Sequence, residues 1–310
     1  MSRLLPFVST ALLAYALVAP AASAAEAPAN AAASAPAEPA TFEAARALFD
    51  SRKFGEAQQV FEKLAVSDPK NPEMNYYLGQ LANRRNEPDR AVAFLNQAVA
   101  AAPTVGRYHH VLGDAYGRAA QKASVFSQLG LAKKCAAAYQ RAAELEPGNL
   151  NFRLSLFEYY RQAPSLVGGG MDKAATEAAV IKKLDAHRGR IAFATLYVAE
   201  KKFDRALAEF DEVLQASADD YASLFQVGRL AAQTGQFPDR GLASLRRYLE
   251  LSPPVTPNTP GPAAVQWHVG LILEKKSDPA GARAAYEAAV KLDPKFTPAA
   301  EALRKLAAKR

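Results

Sequence analysis

The chain has 310 residues, 50% of them hydrophobic and 22% charged, with a formal net charge of +7. That is ample apolar material for a packed core and excludes a disordered or low-complexity protein. Cys135 is the only cysteine, which excludes an intramolecular disulfide, so packing alone must hold the fold.

In chain order, the first predicted element is a secretory signal over residues 1–24. Arg3 supplies the positive start, Leu4 to Val18 the short apolar run, and Ala22, Ser23 and Ala24 a small-residue cut site. The run falls short of the roughly 20 apolar residues that span a bilayer, and Pro20 breaks it. Cleavage near Ala24 is therefore expected, leaving an exported mature chain, periplasmic or secreted, with no transmembrane segment. Residues 25–40, rich in alanine, proline and small polar residues, cannot bury a face and read as a flexible linker. Folding is expected over 41–310.

From there one pattern recurs: a small residue, a bulky one four later, an apolar one three after that, and often proline five further on. The small places are Ala57, Ala91, Cys135, Ala174, Ala206, Gly241 and Ala282. The bulky places are Phe61, Leu95, Tyr139, Phe210, Leu245 and Tyr286, with Ala178 in the fourth copy. Spacings of four and three put these residues on one helical stripe, and proline ends the helix. Upstream of most copies stands a second helical signature: Leu78-Gly79-Ala82, Leu112-Gly113-Tyr116, Phe193-Ala194-Tyr197, Val227-Gly228-Ala231 and Val269-Gly270-Leu273. The glycine or alanine allows a partner helix to come close, and at its small place Cys135 reads as buried filler.

Two such helices in this order resemble the tetratricopeptide repeat, whose motif places are matched by Leu78, Gly79, Ala91, Ala98 and Pro103, and again by Leu112, Gly113, Tyr116, Tyr139, Ala142 and Pro147. The resemblance covers about Pro39 to Pro294. The family's early tryptophan is absent from every copy, and the fourth copy carries Phe157 and Ala178 where a small and a large residue belong. The family's fold implies an all-α protein: a right-handed α-solenoid of about seven helix pairs sharing one core. A last helix over Pro298 to Lys309, apolar at Ala302, Leu303 and Leu306, reads as its polar cap.

Three insertions interrupt the series. The first, 119–134, carries Val125, Phe126, Leu129 and Leu131 at helical spacing and predicts a helix pair reaching past its neighbours with an apolar knob. The second, 163–172, holds Gly168, Gly169 and Gly170 ahead of a helix. Such a triplet can cradle phosphate, but Met171-Asp172-Lys173 lacks the ending of a nucleotide loop, so a loop folded back on the knob is the better reading. The third, 254–262, is proline-rich and reads as an extended surface loop.

Catalysis and metal binding find little support. His109 and His110 are adjacent and diverge by about 100 degrees on a helix, so they do not make a metal site, and each of the four histidines, His187 and His268 included, reads as an ordinary solvated or core-edge residue. No nucleophile triad or metalloprotease motif stands out, so no cofactor and no enzymatic activity is expected. Nucleic acid suits the sign of the charge but not the export signal or the unclustered aromatics. An anionic envelope component suits both.

The resemblance implies that the first helix of each pair lines a concave groove that holds a protein or peptide. The places carried over are Tyr76, Gln80 and Asn83; Arg107, His110 and Asp114; Asn151, Glu158 and Arg161; Arg188; Phe225 and Arg229; and Trp267. The lysine and asparagine clamp of chaperone-tail binders is missing among them. The expected function is a periplasmic interaction scaffold or adaptor. The alternatives are an envelope glycan- or small-ligand-binding solenoid, with the insertions near 119–134 and 163–172 making the pocket, and, third, an accessory enzyme.

Overall fold

The computed structural model describes residues 41–256 and 259–308. The expected signal (1–24) and linker (25–40), two residues of the third insertion and the last two of the chain lie outside the described residues. Fifteen α-helices follow one another: α1 (Phe42–Asp50), α2 (Phe54–Ser67), α3 (Pro72–Arg84), α4 (Pro88–Ala101), α5 (Gly106–Lys122), α6 (Val125–Leu145), α7 (Leu150–Gln162), α8 (Met171–Leu184), α9 (Ala186–Ala199), α10 (Phe203–Ala216), α11 (Tyr221–Thr234), α12 (Pro238–Leu251), α13 (Pro262–Lys275), α14 (Pro279–Leu292) and α15 (Thr297–Ala308). Among the described residues there is no strand, only an isolated bridge between Thr256 and Thr259. No described helix is long and apolar enough to cross a membrane.

The helix ends follow local chemistry. Asn71 caps α3 by accepting from the Glu73 and Met74 amides at 3.1 and 3.2 Å, with Pro72 at the first helical position. Asp185, Asp220 and Asp278 cap α9, α11 and α14 in the same way. At the other end, α2, α4, α6, α12 and α14 each stop two residues before Pro69, Pro103, Pro147, Pro253 and Pro294. The residue before proline is pushed out of helical geometry, so the helix has to end there.

Within most pairs the turn needs a residue with left-handed backbone. Arg52, Asn86, Lys201 and Ser277 take φ of 59 to 62°, and Gly235 takes 78°. The third pair departs from this: Ala123 and Ser124 are extended, and they join a 17-residue α5 to a 21-residue α6. In the fourth, a single 3₁₀ turn over Ser165–Val167 leads into Gly168 and Gly170, both at positive φ.

The contacts divide the chain into two compact units between Glu177 and Ala178, inside α8. In the first, α1 packs on α2, α3 on α4 and α5 on α6, and consecutive pairs touch through α2 with α3, α4 with α5 and α6 with α7. In the second, α9 with α10, α11 with α12, and α13 with α14 do the same, and α15 covers α14 and α13. The stripe read from sequence is the core. Ala57, Phe61, Ala91, Leu95, Ala98, Ala142, Ala206, Leu245, Ala282, Tyr286 and Ala289 are buried, as are Ala174, Ala178 and Ile181 of α8. The helical glycines make room for the bulky member of the stripe: a Cβ on Gly79 would stand 2.5 Å from Leu95, and one on Gly113 would stand 2.6 Å from the Tyr139 ring. Gly228 faces Leu245 and Gly270 faces Tyr286 in the same manner.

Candidate functional site

The first helices of the first unit are joined side by side by their own side chains. Phe42 of α1 meets Tyr77 of α3 at 5.9 Å between rings. Arg107 of α5 pairs with Glu73 of α3. His110 of α5 lies over Phe152 of α7, 4.8 Å between centroids and 24° from parallel. The layer therefore presents a row of aromatic and charged groups, and it carries the groove places expected in this part of the chain.

Its densest cluster surrounds Tyr76. The Arg107 guanidinium lies 5.3 Å from the Tyr76 ring centre and 5.4 Å from that of Tyr108, and the two rings are 5.1 Å apart. The Tyr108 hydroxyl donates to the same Glu73 carboxylate that holds Arg107. Burial is the main cause that pushes both phenols up to about 12, so they stay neutral donors at any physiological pH. Arg107 itself remains about half exposed, a cation held in place between two rings.

A second cluster lies further along α5. His110 Nε2 is 2.8 Å from Ser155 Oγ, and Asp114 accepts from the Tyr139 hydroxyl at 2.6 Å. A serine beside a histidine invites comparison with a nucleophile and its base. Yet no described carboxylate bonds the other ring nitrogen, and Asp114 is committed to Tyr139.

The remaining places scatter. Gln80 is half-buried next to the Tyr76 cluster in sequence, whereas Asn83 is only 7% exposed and its amide oxygen has no partner among the described residues. Asn151 is exposed in the first turn of α7. Glu158 pairs with Arg161 at 2.6 Å and accepts from Gln162. In the second unit, Arg188 lies 3.7 Å from its own cap, Asp185. Phe225 packs 5.1 Å from His268, Arg229 is exposed, and Trp267 meets His268 at 4.7 Å and Phe296 at 6.0 Å. Glu73, Tyr108, Phe152 and Ser155 join the clusters without having been singled out from sequence. One signal for Glu73 was available, an acid 34 residues before Arg107, one repeat away on the same helical place.

The other chemistry considered from sequence resolves locally. All three glycine amides of the 163–172 loop are used inside it: Gly168 donates to Ser165, Gly169 to Pro164 and Gly170 to Tyr160, at 2.8 to 3.1 Å. They are thus not turned toward a phosphate. His109 faces the Pro103 carbonyl at 2.9 Å, His187 pairs with Asp220 at 3.0 Å, and His268 is buried against the Ala264 carbonyl. No group of three or more metal-ligating side chains occurs among the described residues. Burial pushes the Cys135 thiol up to about 12, far from the thiolate that reacts.

No curated protein matches the chain. Among solved structures, a tetratricopeptide repeat protein from Parabacteroides merdae aligns at a TM-score of 0.60 and 15% identity over 85% of this chain and 96% of its own. The C-terminal part of a repeat-containing protein from Cytophaga hutchinsonii gives 0.58 and 15% over 85% and 99%. Yeast Tom70 gives 0.58 and 17% over 83% of this chain and 52% of its own. At these identities the likeness concerns the fold alone. A sequence model described as tetratricopeptide repeat matches residues 42–105, 191–256 and 237–295. Since those stretches cover more than half of the chain, the protein belongs to the tetratricopeptide-repeat family.

Proposed function

We propose that the protein is an exported scaffold or adaptor that holds a peptide or protein partner on the first-helix layer of its second to fourth pairs. The family and its fold support protein–protein interaction in general. The observation that favours this stretch is the Tyr76, Tyr108, Arg107 and Glu73 cluster. Rigid aromatic groups with a held arginine are the side chains that dominate interface energies, because they offer large area at small ordering cost. His110 and Asp114 extend the same row along α5. A partner with an acidic or carbonyl-rich segment beside an apolar side chain would match it. The expected site is the periplasm, on the strength of the apolar run and cut site near Ala24.

The test is affinity capture from periplasmic extract followed by quantitative binding of the captured partner. Tyr76→Ala with Arg107→Ala is expected to weaken binding by about tenfold or more, or about 1.4 kcal/mol. Arg107→Gln alone, at a half-exposed position, should weaken it while lowering stability by no more than about 1 kcal/mol. Full affinity in both variants, with loss instead from changes at Trp267 or on the second helices, would place the partner elsewhere.

A further inference from the structure

The extended α5–α6 pair ends in an apolar tip that no described residue of its own unit covers. Phe126 is 95% exposed, Val125 67% and Leu129 45%. The 3₁₀ turn rests against α6, where the Tyr159 hydroxyl lies 2.7 Å from the carbonyls of both Ala132 and Val167, and it holds Leu166, 68% exposed, beside the same helix. An isolated exposed apolar residue needs no explanation, but Val125, Phe126 and Leu129 grouped in the first turns of α6 do.

Beyond Asp114, the hairpin's own charges have one sign up to Glu144. Between Asp114 and Glu144 the sequence contains no acidic residue, yet it contains Arg118, Lys122, Lys133, Lys134 and Arg141. The first four are exposed; Lys122 donates to the Asn86 carbonyl and Lys134 lies 5.7 Å from the Tyr116 ring, which leaves Arg118 and Lys133 to the surface. Phe126, Leu129 and Lys133 recur at three and four, so they share one stripe of α6. Lys133 lies seven residues from Phe126, about 10 Å along the axis. Its side chain leans toward the helix start, which is the tip. This spacing matches the depth to which interfacial apolar groups enter a bilayer, about 5–10 Å, with cations held at the phosphates above them.

We propose that this hairpin tip is a membrane-docking element, inserting Val125, Phe126 and Leu129 among the headgroups of an anionic bilayer while Arg118 and Lys133 meet lipid phosphates. The contact is weak and reversible, since one small apolar tip with two cations is far from a permanent anchor. It is independent of what the first-helix layer holds.

The test uses the full chain with Phe126→Trp as a reporter and Val66→Trp, also exposed but outside the tip, as its reference. Wild-type emission from Trp267 is subtracted from both. With vesicles containing about one third phosphatidylglycerol in phosphatidylcholine, the reporter at 126 should shift to the blue and be quenched by brominated acyl chains, and the shift should fade as salt rises. The reference should not move. Arg118→Glu with Lys133→Glu in the reporter background should weaken vesicle binding by about tenfold or more. Tyr76→Ala with Arg107→Ala should leave the shift intact, which separates this proposal from the groove reading. Absence of a shift on anionic vesicles overturns it, as does an equal shift on pure phosphatidylcholine, an equal shift at position 66, or protection of the tip only by a protein partner.

Discussion

At the scale of single residues, size at the helix crossings decides what can change. Gly113 lies against the buried Tyr139 ring, which is also fastened to Asp114 by its hydroxyl, so the ring has little room to yield. Gly113→Leu should cost about 1–3 kcal/mol, read as a lower urea midpoint with unchanged slope. An unaltered midpoint would mean that α5 and α6 do not meet there. Cys135 fills a small place in the same pair, with Sγ 3.6 Å from where a Cβ on Gly117 would stand. Cys135→Ala removes one atom, leaves the Tyr139 to Asp114 bond intact, and should cost less than about 1 kcal/mol. These positions were legible in the sequence because a three-and-four spacing fixes which residues of a helix face inward. Glu73 was not, since its bond to Arg107 depends on how one repeat is set against the next, and helical periodicity within a repeat carries no record of that.

At the scale of elements, the turns inside the pairs hold a constraint that residue type concealed. Four of them place Arg52, Asn86, Lys201 or Ser277 in left-handed backbone, which disfavours residues other than glycine by about 1–2 kcal/mol, less for asparagine. Only Gly235 meets the requirement without strain. Lys201→Gly should therefore be neutral or stabilising by up to about 1 kcal/mol, the relief of strain being partly offset by the greater freedom of glycine in the unfolded chain. Gly235→Val should destabilise by about 1–2 kcal/mol or more, since a β-branched residue is poorest at such φ. If thermal midpoints order these variants the other way, the turn conformation is wrong. The sequence announced the helices and the proline stops but not this turn, because four unlike residues occupy it and the geometry is imposed by the packed helices on either side. The third pair's hairpin was readable for the opposite reason: its apolar residues continue the helical spacing through the inserted stretch.

At the scale of the molecule, stacked pairs that touch only their neighbours make stability local, so a perturbation should be felt most in the unit that contains it. His268 supplies a pH-dependent case. It is buried in the second unit, beside Phe225 and Trp267, and burial together with nearby Arg229 lowers its pKa below the ordinary 6.5 despite the bond to Ala264. The folded chain thus keeps the ring neutral where the unfolded chain would take up a proton. Stability is fully present above pH 6.5 and is lost as pH falls through that value toward the lowered folded one. Comparing about pH 7.5 with about pH 5 by native-state hydrogen exchange, amides of α11 and α13 should lose protection more than those of α3 and α5. His268→Gln should reduce that difference. The same measurement on Gly113→Leu at constant pH should show the reverse distribution, with losses in α5 and α6 and little change in α13 and α14. An equal loss everywhere in both experiments would mean that the chain unfolds only as a single cooperative whole, and that the division of contacts between Glu177 and Ala178 has no energetic counterpart.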